Sequence, residues 1–198
     1  MLDSVSSEIS TKQRILTATL ELLQQRPGVP VSMGQVAQGA GLSRQALYLH
    51  FADRTTLFLE ASRQADADNR TPARQRRVDE APTARDALHE AVRLQAYLKP
   101  RLHGVTIALG ALRRTDSDAE AAWQERDQAR LDRCRQVAQR LHDEGELRGE
   151  CTVEAAAALI WGVTSPAVWE DLVLNLRWSN AKYVKHVISV LEQGLLMH

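Results

Sequence analysis

The stretch Ser32–Phe51, SMGQVAQGAGLSRQALYLHF, narrows the choice of folds more than any other part of the chain. Ser32 and Ser43 each open a short run with helical spacing, and Gly41 lies between the two runs. Serine at a helix N-cap accepts a hydrogen bond from a backbone N–H of the first turn. Glycine enters the left-handed φ region without steric cost, which is what a tight turn between two helices needs. Val36, Ala40, Leu42 and Leu47 offer apolar contacts, and Ala37 is small where the two helices must approach closely. The pattern predicts a helical pair joined by a glycine turn, with Ser43, Arg44, Gln45 and Tyr48 directed outward.

The remainder also reads as helix. Thr11–Gln25 carries Ile15, Leu16, Ala18, Leu20, Leu22 and Leu23 at helical spacing and is stopped by Pro27-Gly28. Asp53 is a suitable N-cap for RTTLFLEASRQ. Between Asn69 and Thr83 the segment RTPARQRRVDEAPT holds two prolines and four arginines with few apolar residues, which predicts a loop or frayed helix end and a domain boundary. Longer helices are expected over 84–98, 101–114, 117–144, 153–176 and 180–196. Pro166 allows either a kink or a division into two helices. Val184, Val187, Ile188, Leu191 and Leu195 form an apolar stripe. No strand signal interrupts this series, so the fold class is all-α. All four tryptophans fall in the second part and both phenylalanines in the first, which suits two helical modules with different tasks.

Charge and motifs exclude several functions. The 25 basic and 25 acidic residues cancel, so attraction to nucleic acid or to a membrane has to come from a local patch. No window approaches the roughly 20 apolar residues of a membrane span, and the N-terminal MLDSVSSEIS lacks a signal peptide's apolar run. A soluble cytoplasmic protein with no membrane partner is expected. The two cysteines, Cys134 and Cys151, form no CxxC pair and suit a reducing compartment. HExxH, a glycine-rich phosphate loop, GxSxG and Cys/His metal spacing are all missing, so no catalytic residue, metal or cofactor is expected.

The outward side chains of the helical pair match the chemistry of a DNA groove. Arginine pairs with guanine and glutamine with adenine, each worth about 1–3 kcal/mol of discrimination. Ala46 can meet a thymine methyl, while Tyr48, His50 and Arg54 suit phosphate oxygens. An ordinary helical hairpin with a solvated polar face accounts for the same residue types equally well.

From Ile9 to Asn69 the chain resembles the DNA-binding domain of the TetR family of transcriptional repressors. The resemblance is carried by AGLSRQALYLHFADR: a small-residue turn, a Leu-Tyr-x-His-Phe core and a basic residue three positions later. TSPAVWEDLV, followed by WS and Tyr183, is also similar to some family members. The resemblance implies a three-helix helix-turn-helix domain over 9–69 with its motif at 32–51. A larger helical domain over 83–198 would bind an effector and dimerise through its last two helices. It places base contacts on Arg44, Gln45, Ala46 and Tyr48, beside Ser43, and phosphate contacts on Ser32, Leu49, His50 and Arg54. Two positions depart from the pattern: Gly34 offers only backbone where a side chain often reaches a base, and Leu49 replaces an aromatic or polar residue.

The implied protein is a ligand-responsive regulator. As a homodimer it would repress from a palindromic operator in double-stranded DNA, and a small-molecule effector would release it. Residues 9–69 hold six basic against five acidic side chains, a net of +1, so weak non-specific binding and reliance on a dimer are expected. Tyr97, His103, Thr106, Trp123, Trp161 and Trp169 are candidates to line the effector pocket, each equally readable as core. No deep carboxylate points to a cationic effector, and a neutral or aromatic one is favoured. Two other functions stay open: a DNA-binding protein without an effector, and an enzyme or carrier using the C-terminal cavity.

Overall fold

A computed structural model of the chain describes residues 10–197. Ile9, where the first domain is expected to begin, and the N-terminal stretch expected to be no signal peptide lie outside the described residues, as does His198. The helices are α1 (Thr11–Gln25), α2 (Met33–Gly39), α3 (Arg44–Tyr48), α4 (Arg54–Asp68), α5 (Thr71–Asp79), α6 (Ala84–Leu112), α7 (Ser117–Asp143), α8 (Val153–Val163), α9 (Pro166–Trp169) and α10 (Asn180–Leu195). A π-helical turn, Glu170–Asn175, follows α9. The described residues contain no β-strand, only an isolated bridge between Leu147 and Leu196.

The chain forms two compact units that interleave in sequence. One comprises residues 10–65 with Leu102–Ala121, the other Asp66–Arg101 with residues 122–197. The interleaving follows from α6 and α7, which each contribute residues to both units.

In the first unit, Ile15, Leu16, Ala18 and Leu23 of α1 share a core with Val36 and Ala37 of α2, Leu47 of α3, Phe51, and Leu57, Phe58 and Ala61 of α4. Residues 102–112 of α6 complete it, with Leu102, Val105, Leu109 and Leu112 buried. The contact with α1 is unusually close: a Cβ at Gly104 would overlap the carbonyl of Leu23. The Gly104 amide donates to Gln24 Oε1 at 3.2 Å. Asp116 fastens another corner, accepting from the Thr55 hydroxyl at 2.6 Å and from the amides of Asp118 and Ala119 at 3.0 Å. The Thr55 bond, followed by the Ala119 amide, holds this carboxyl below its ordinary range.

The structure departs from the sequence-based expectation in two places and decides between two alternatives in a third. Residues 71–79 form a helix rather than a loop. Pro72 sits in the first turn, where its missing N–H breaks no hydrogen bond. Val78 is buried, and the Arg140 guanidinium donates to the carbonyls of Val78, Asp79 and Ala81, satisfying the helix end.

The segments 84–98 and 101–114 merge into one helix that runs through Pro100. Proline cannot donate to the carbonyl four residues back. That carbonyl, on Ala96, accepts instead from Asn180 Nδ2 at 3.1 Å.

The segment 153–176 divides, because Ser165 caps a new helix beginning at Pro166 and bent by 42° from α8. By length and composition this bent pair could cross a membrane, whereas no single described helix is long and apolar enough to do so. Replacing Gly104 by alanine forces α6 away from α1 and should cost about 1–3 kcal/mol. A chemical denaturation midpoint for Gly104→Ala equal to that of the unaltered chain would contradict this packing.

Candidate nucleic-acid interface and a buried polar cluster

The helical pair is assembled from local hydrogen bonds. Ser32 Oγ accepts from the Gln35 amide at 3.3 Å and Gln35 Oε1 accepts from the Ser32 amide at 2.8 Å, a capping box that starts α2. Ser43 Oγ accepts from the Ala46 amide at 3.1 Å and starts α3. Gly41 adopts φ 68° between the helices. Arg14 of α1 reaches across and donates to the Ala40 carbonyl at 2.6 Å, satisfying the end of α2. Sequence reasoning did not anticipate this role for Arg14, because the contact spans 26 positions and carries no local signature.

Leu47, fully buried, pins α3 to the core and sets which side chains face water. Arg44, Gln45, Tyr48, Leu49 and His50 are exposed, Ala46 is half-buried, and Arg54 is exposed at the start of α4. Leu42, expected to anchor the turn, is only half-buried. Arg44 Nη2 donates to the Tyr48 hydroxyl at 3.3 Å, so the two stand together one helical turn apart.

Ser32 and Ser43 spend a lone pair on capping, and the Ser32 hydroxyl also donates to Gln35 Oε1 at 2.9 Å. Leu49 is 87% exposed, and its amide is already given to the Gln45 carbonyl, so it presents apolar surface rather than a donor. At Gly34 a Cβ would meet nothing nearer than Ser32 Oγ at 3.9 Å, leaving room for a side chain.

A short helix presented for contact, braced by a second across a glycine turn, defines a helix-turn-helix. Residues 15–61 match the family model described as bacterial regulatory proteins, tetR family. An aligned stretch of 50 residues is 42% identical to the HTH-type transcriptional regulator AcrR of Shigella flexneri. That alignment covers 25% of this chain and 23% of the relative, so the chain spans under a quarter of that relative's length.

Solved structures extend the likeness of fold to nearly the whole chain. A putative transcriptional regulator from Saccharomonospora viridis, in complex with choline, superposes with a TM-score of 0.77 at 17% identity, over 94% of this chain and 98% of that one. NalD, the secondary repressor of the MexAB-OprM multidrug efflux pump in Pseudomonas aeruginosa, gives 0.67 at 22% identity, over 94% and 96%. Residues 15–61 thus carry a helix-turn-helix domain of the tetR family of bacterial regulatory proteins, and the chain shares its fold with the solved regulators.

The six residues proposed to line an effector pocket do not fall in one unit. His103 and Thr106 belong to the first, and Tyr97, Trp123, Trp161 and Trp169 to the second. Trp169 is core, 3% exposed. The Tyr97 ring has the guanidinium carbons of Arg74 and Arg101 at 3.5 and 3.8 Å from its centroid. Trp161 is half-buried under Arg130, whose guanidinium carbon lies 4.5 Å from the ring centroid and whose Nη1 donates to the Trp161 carbonyl at 2.7 Å.

Around Arg130 the second unit gathers polar groups that the sequence reading passed over. Lys99 of α6 is 8% exposed and donates to Gln95 Oε1 at 2.9 Å. Burial, followed by repulsion from Arg130, lowers its pKa to about 7. Burial pushes the Cys134 thiol up to about 11 and the Tyr183 phenol up to about 12, so both stay neutral. The signal was available: Lys99 lies on the stripe Leu88, Val92, Ala96 of α6, and Arg130 on the stripe Cys134, Ala138, Leu141 of α7. A cation on an apolar stripe is a buried cation.

Between pH 7 and 10.5 the unfolded chain keeps a Lys99 proton that the folded chain has lost. Folding stability from this group therefore rises with pH across that window, and below it the folded state bears the full cost of a buried charge. Lys99→Met should accordingly raise the melting temperature more at pH 6 than at pH 9.5. An equal shift at both values would mean that the ammonium is solvated.

Proposed function

We propose that this protein is a ligand-responsive transcriptional repressor that binds a palindromic operator as a homodimer and is released by a small-molecule effector. The observation that carries the reading is the outward face of α3. Arg44, Gln45 and Tyr48 are held outward on a helix capped by Ser43 and pinned by Leu47, while His50 and Arg54 stand exposed just beyond it. Arginine and glutamine at adjacent exposed positions suit base edges in a major groove, and the surrounding cation and hydroxyl suit phosphates.

The dimer has support in the apolar surface that the last helices leave uncovered. Leu159 of α8 is 48% exposed, Val190 of α10 is 55% exposed and Leu176 between them in sequence is 63% exposed, although α8 and α10 pack on one another. An open groove of about 750 Å³ also runs where α6 and α10 meet, lined by Val184 and Ile188 among His89, Arg93, Lys185 and Glu192. It includes none of the six residues first considered for the effector pocket. An apolar face bordered by both signs of charge is self-complementary about a two-fold axis. Two copies would then present paired α3 helices to two half-sites.

Release follows from population shift: an effector that binds better to a conformation with mismatched α3 spacing lowers operator affinity by its differential affinity. One neighbour is named as the secondary repressor of an efflux pump and another is in complex with choline, which makes repression and small-molecule binding reasonable for this fold.

Mobility shifts on DNA upstream of the protein's own gene test the reading. Arg44→Ala should relax preference at one or two base pairs of each half-site, at a cost of about 1–3 kcal/mol. Arg54→Ala should weaken all sequences alike and reduce the salt slope by about one. An Arg44→Ala protein with unaltered affinity and preference would remove α3 from the role of reader. For the dimer, Leu159→Glu combined with Val190→Glu should convert the protein to a monomer in light scattering. A double variant that stays dimeric would place the interface elsewhere.

A further inference from the structure

Donors outnumber acceptors in the interior of the second unit. Four helices converge there: α6 brings Lys99 and Gln95, α7 brings Arg130, α8 brings Trp161 and α10 brings Tyr183. The Tyr183 side chain is fully buried and its hydroxyl has no hydrogen-bond partner, and the buried Nε1–H of Trp161 has none either. The Lys99 ammonium has three N–H groups for the one acceptor on Gln95. Arg130, whose side chain is 14% exposed, directs Nη1 to the Trp161 carbonyl and holds Nη2 only 3.6 Å from Asp127, a carboxylate that is itself 43% exposed.

Arg130 stacks on the Trp161 ring and donates to its carbonyl, α8 packs on α10, and Asn180 ties the start of α10 to Ala96 of α6. These groups therefore form one neighbourhood, in which the Arg130 charge is felt at Lys99 and Tyr183. A folded interior normally pairs its buried polar groups, and an unpaired donor or unneutralised cation there is costly. Here the deficit has one sign: Lys99, Tyr183 and Trp161 are short of acceptors, and the carboxylate beside Arg130 stands partly in water.

We propose that Lys99, Arg130, Tyr183 and Trp161 form the binding site for a small carboxylate with an apolar body. The carboxylate supplies the missing acceptors. Two oxygens with about four lone-pair directions can serve the Lys99 ammonium, the Tyr183 hydroxyl and the indole N–H together, while Arg130 offsets the charge. The Trp161 and Tyr183 rings and the adjoining apolar residues suit the body of the ligand. This assignment rests on the second unit being the effector-binding part of the protein. The buried Lys99 and the largely covered Arg130 favour an acid over the neutral effector that residue types alone suggest.

The experiment uses the full chain without DNA and follows tryptophan fluorescence and heat on titration with benzoate and octanoate, each against its neutral amide, benzamide and octanamide. At least one acid should bind saturably and at least tenfold more tightly than its amide. Lys99→Met should weaken that acid at least tenfold and change its amide less than twofold. Tyr183→Phe removes a single hydroxyl from the same site and should weaken the acid several-fold, which keeps the test decisive should Lys99→Met fail to fold. Failure of both acids to bind, or acid and amide within tenfold of one another, overturns the proposal. Loss of acid and amide binding in equal measure in Lys99→Met or Tyr183→Phe overturns it also.

A parallel mobility shift with the same compounds separates this inference from the reading beneath it. Lys99-dependent acid binding that leaves the DNA complex intact upholds the site and removes effector release. DNA release by a neutral compound, with neither acid bound, upholds release and removes the carboxylate site.

Discussion

The helix-turn-helix is placed by a contact outside it, the approach of α6 to the end of α1 at Gly104. With no side chain there, the α6 backbone comes close to the Leu23 carbonyl, and the Gly104 amide reaches Gln24. The approach closes the core of the first unit from one side, while α1 supplies the surface to which α2 is fixed. Arg14 then reaches from α1 to the Ala40 carbonyl and holds the turn before α3. Each of these contacts is far apart in sequence, and together they decide where the exposed residues of α3 stand. A glycine in the middle of a long helix carries a propensity cost of about 1 kcal/mol relative to alanine. Close packing at this point offsets that cost.

Proline and arginine show how tertiary partners rescue segments that local rules would break. Pro100 removes a hydrogen bond from α6, and Asn180 restores the freed carbonyl's partner from the first turn of α10. The arginine-rich 71–79 segment has few apolar residues, yet it forms a helix because Arg140 satisfies its last carbonyls and Val78 is buried. Pro166 acts in the other direction. With Ser165 available as a cap, starting a new helix at the proline removes the need for a kink.

The two units use polar chemistry in opposite ways. In the first, cations such as Arg44 and Arg54 stay in water, where they are free to meet an anionic surface. In the second, Lys99 is drawn into the interior, and the largely covered Arg130 side chain keeps a 3.6 Å ion pair with the more exposed Asp127. Burial lowers the lysine's pKa, and groups shifted in this way cluster at functional sites.

The sequence by itself determined what depends on near neighbours: the all-α class, the caps at Ser32, Ser43 and Asp53, the positive φ at Gly41, and the outward residues of α3. The capping hydrogen bonds span three positions, so the residue types and their spacing suffice. Only the tertiary structure decided the merging of two predicted helices through Pro100 and the use of Arg14 and Arg140 as caps. It also decided the interleaving of the two units and the gathering of Lys99, Arg130, Trp161 and Tyr183. These features join residues from about 26 to 84 positions apart. At that range the partner is chosen by which faces the packed helices bury, a choice that no single segment contains.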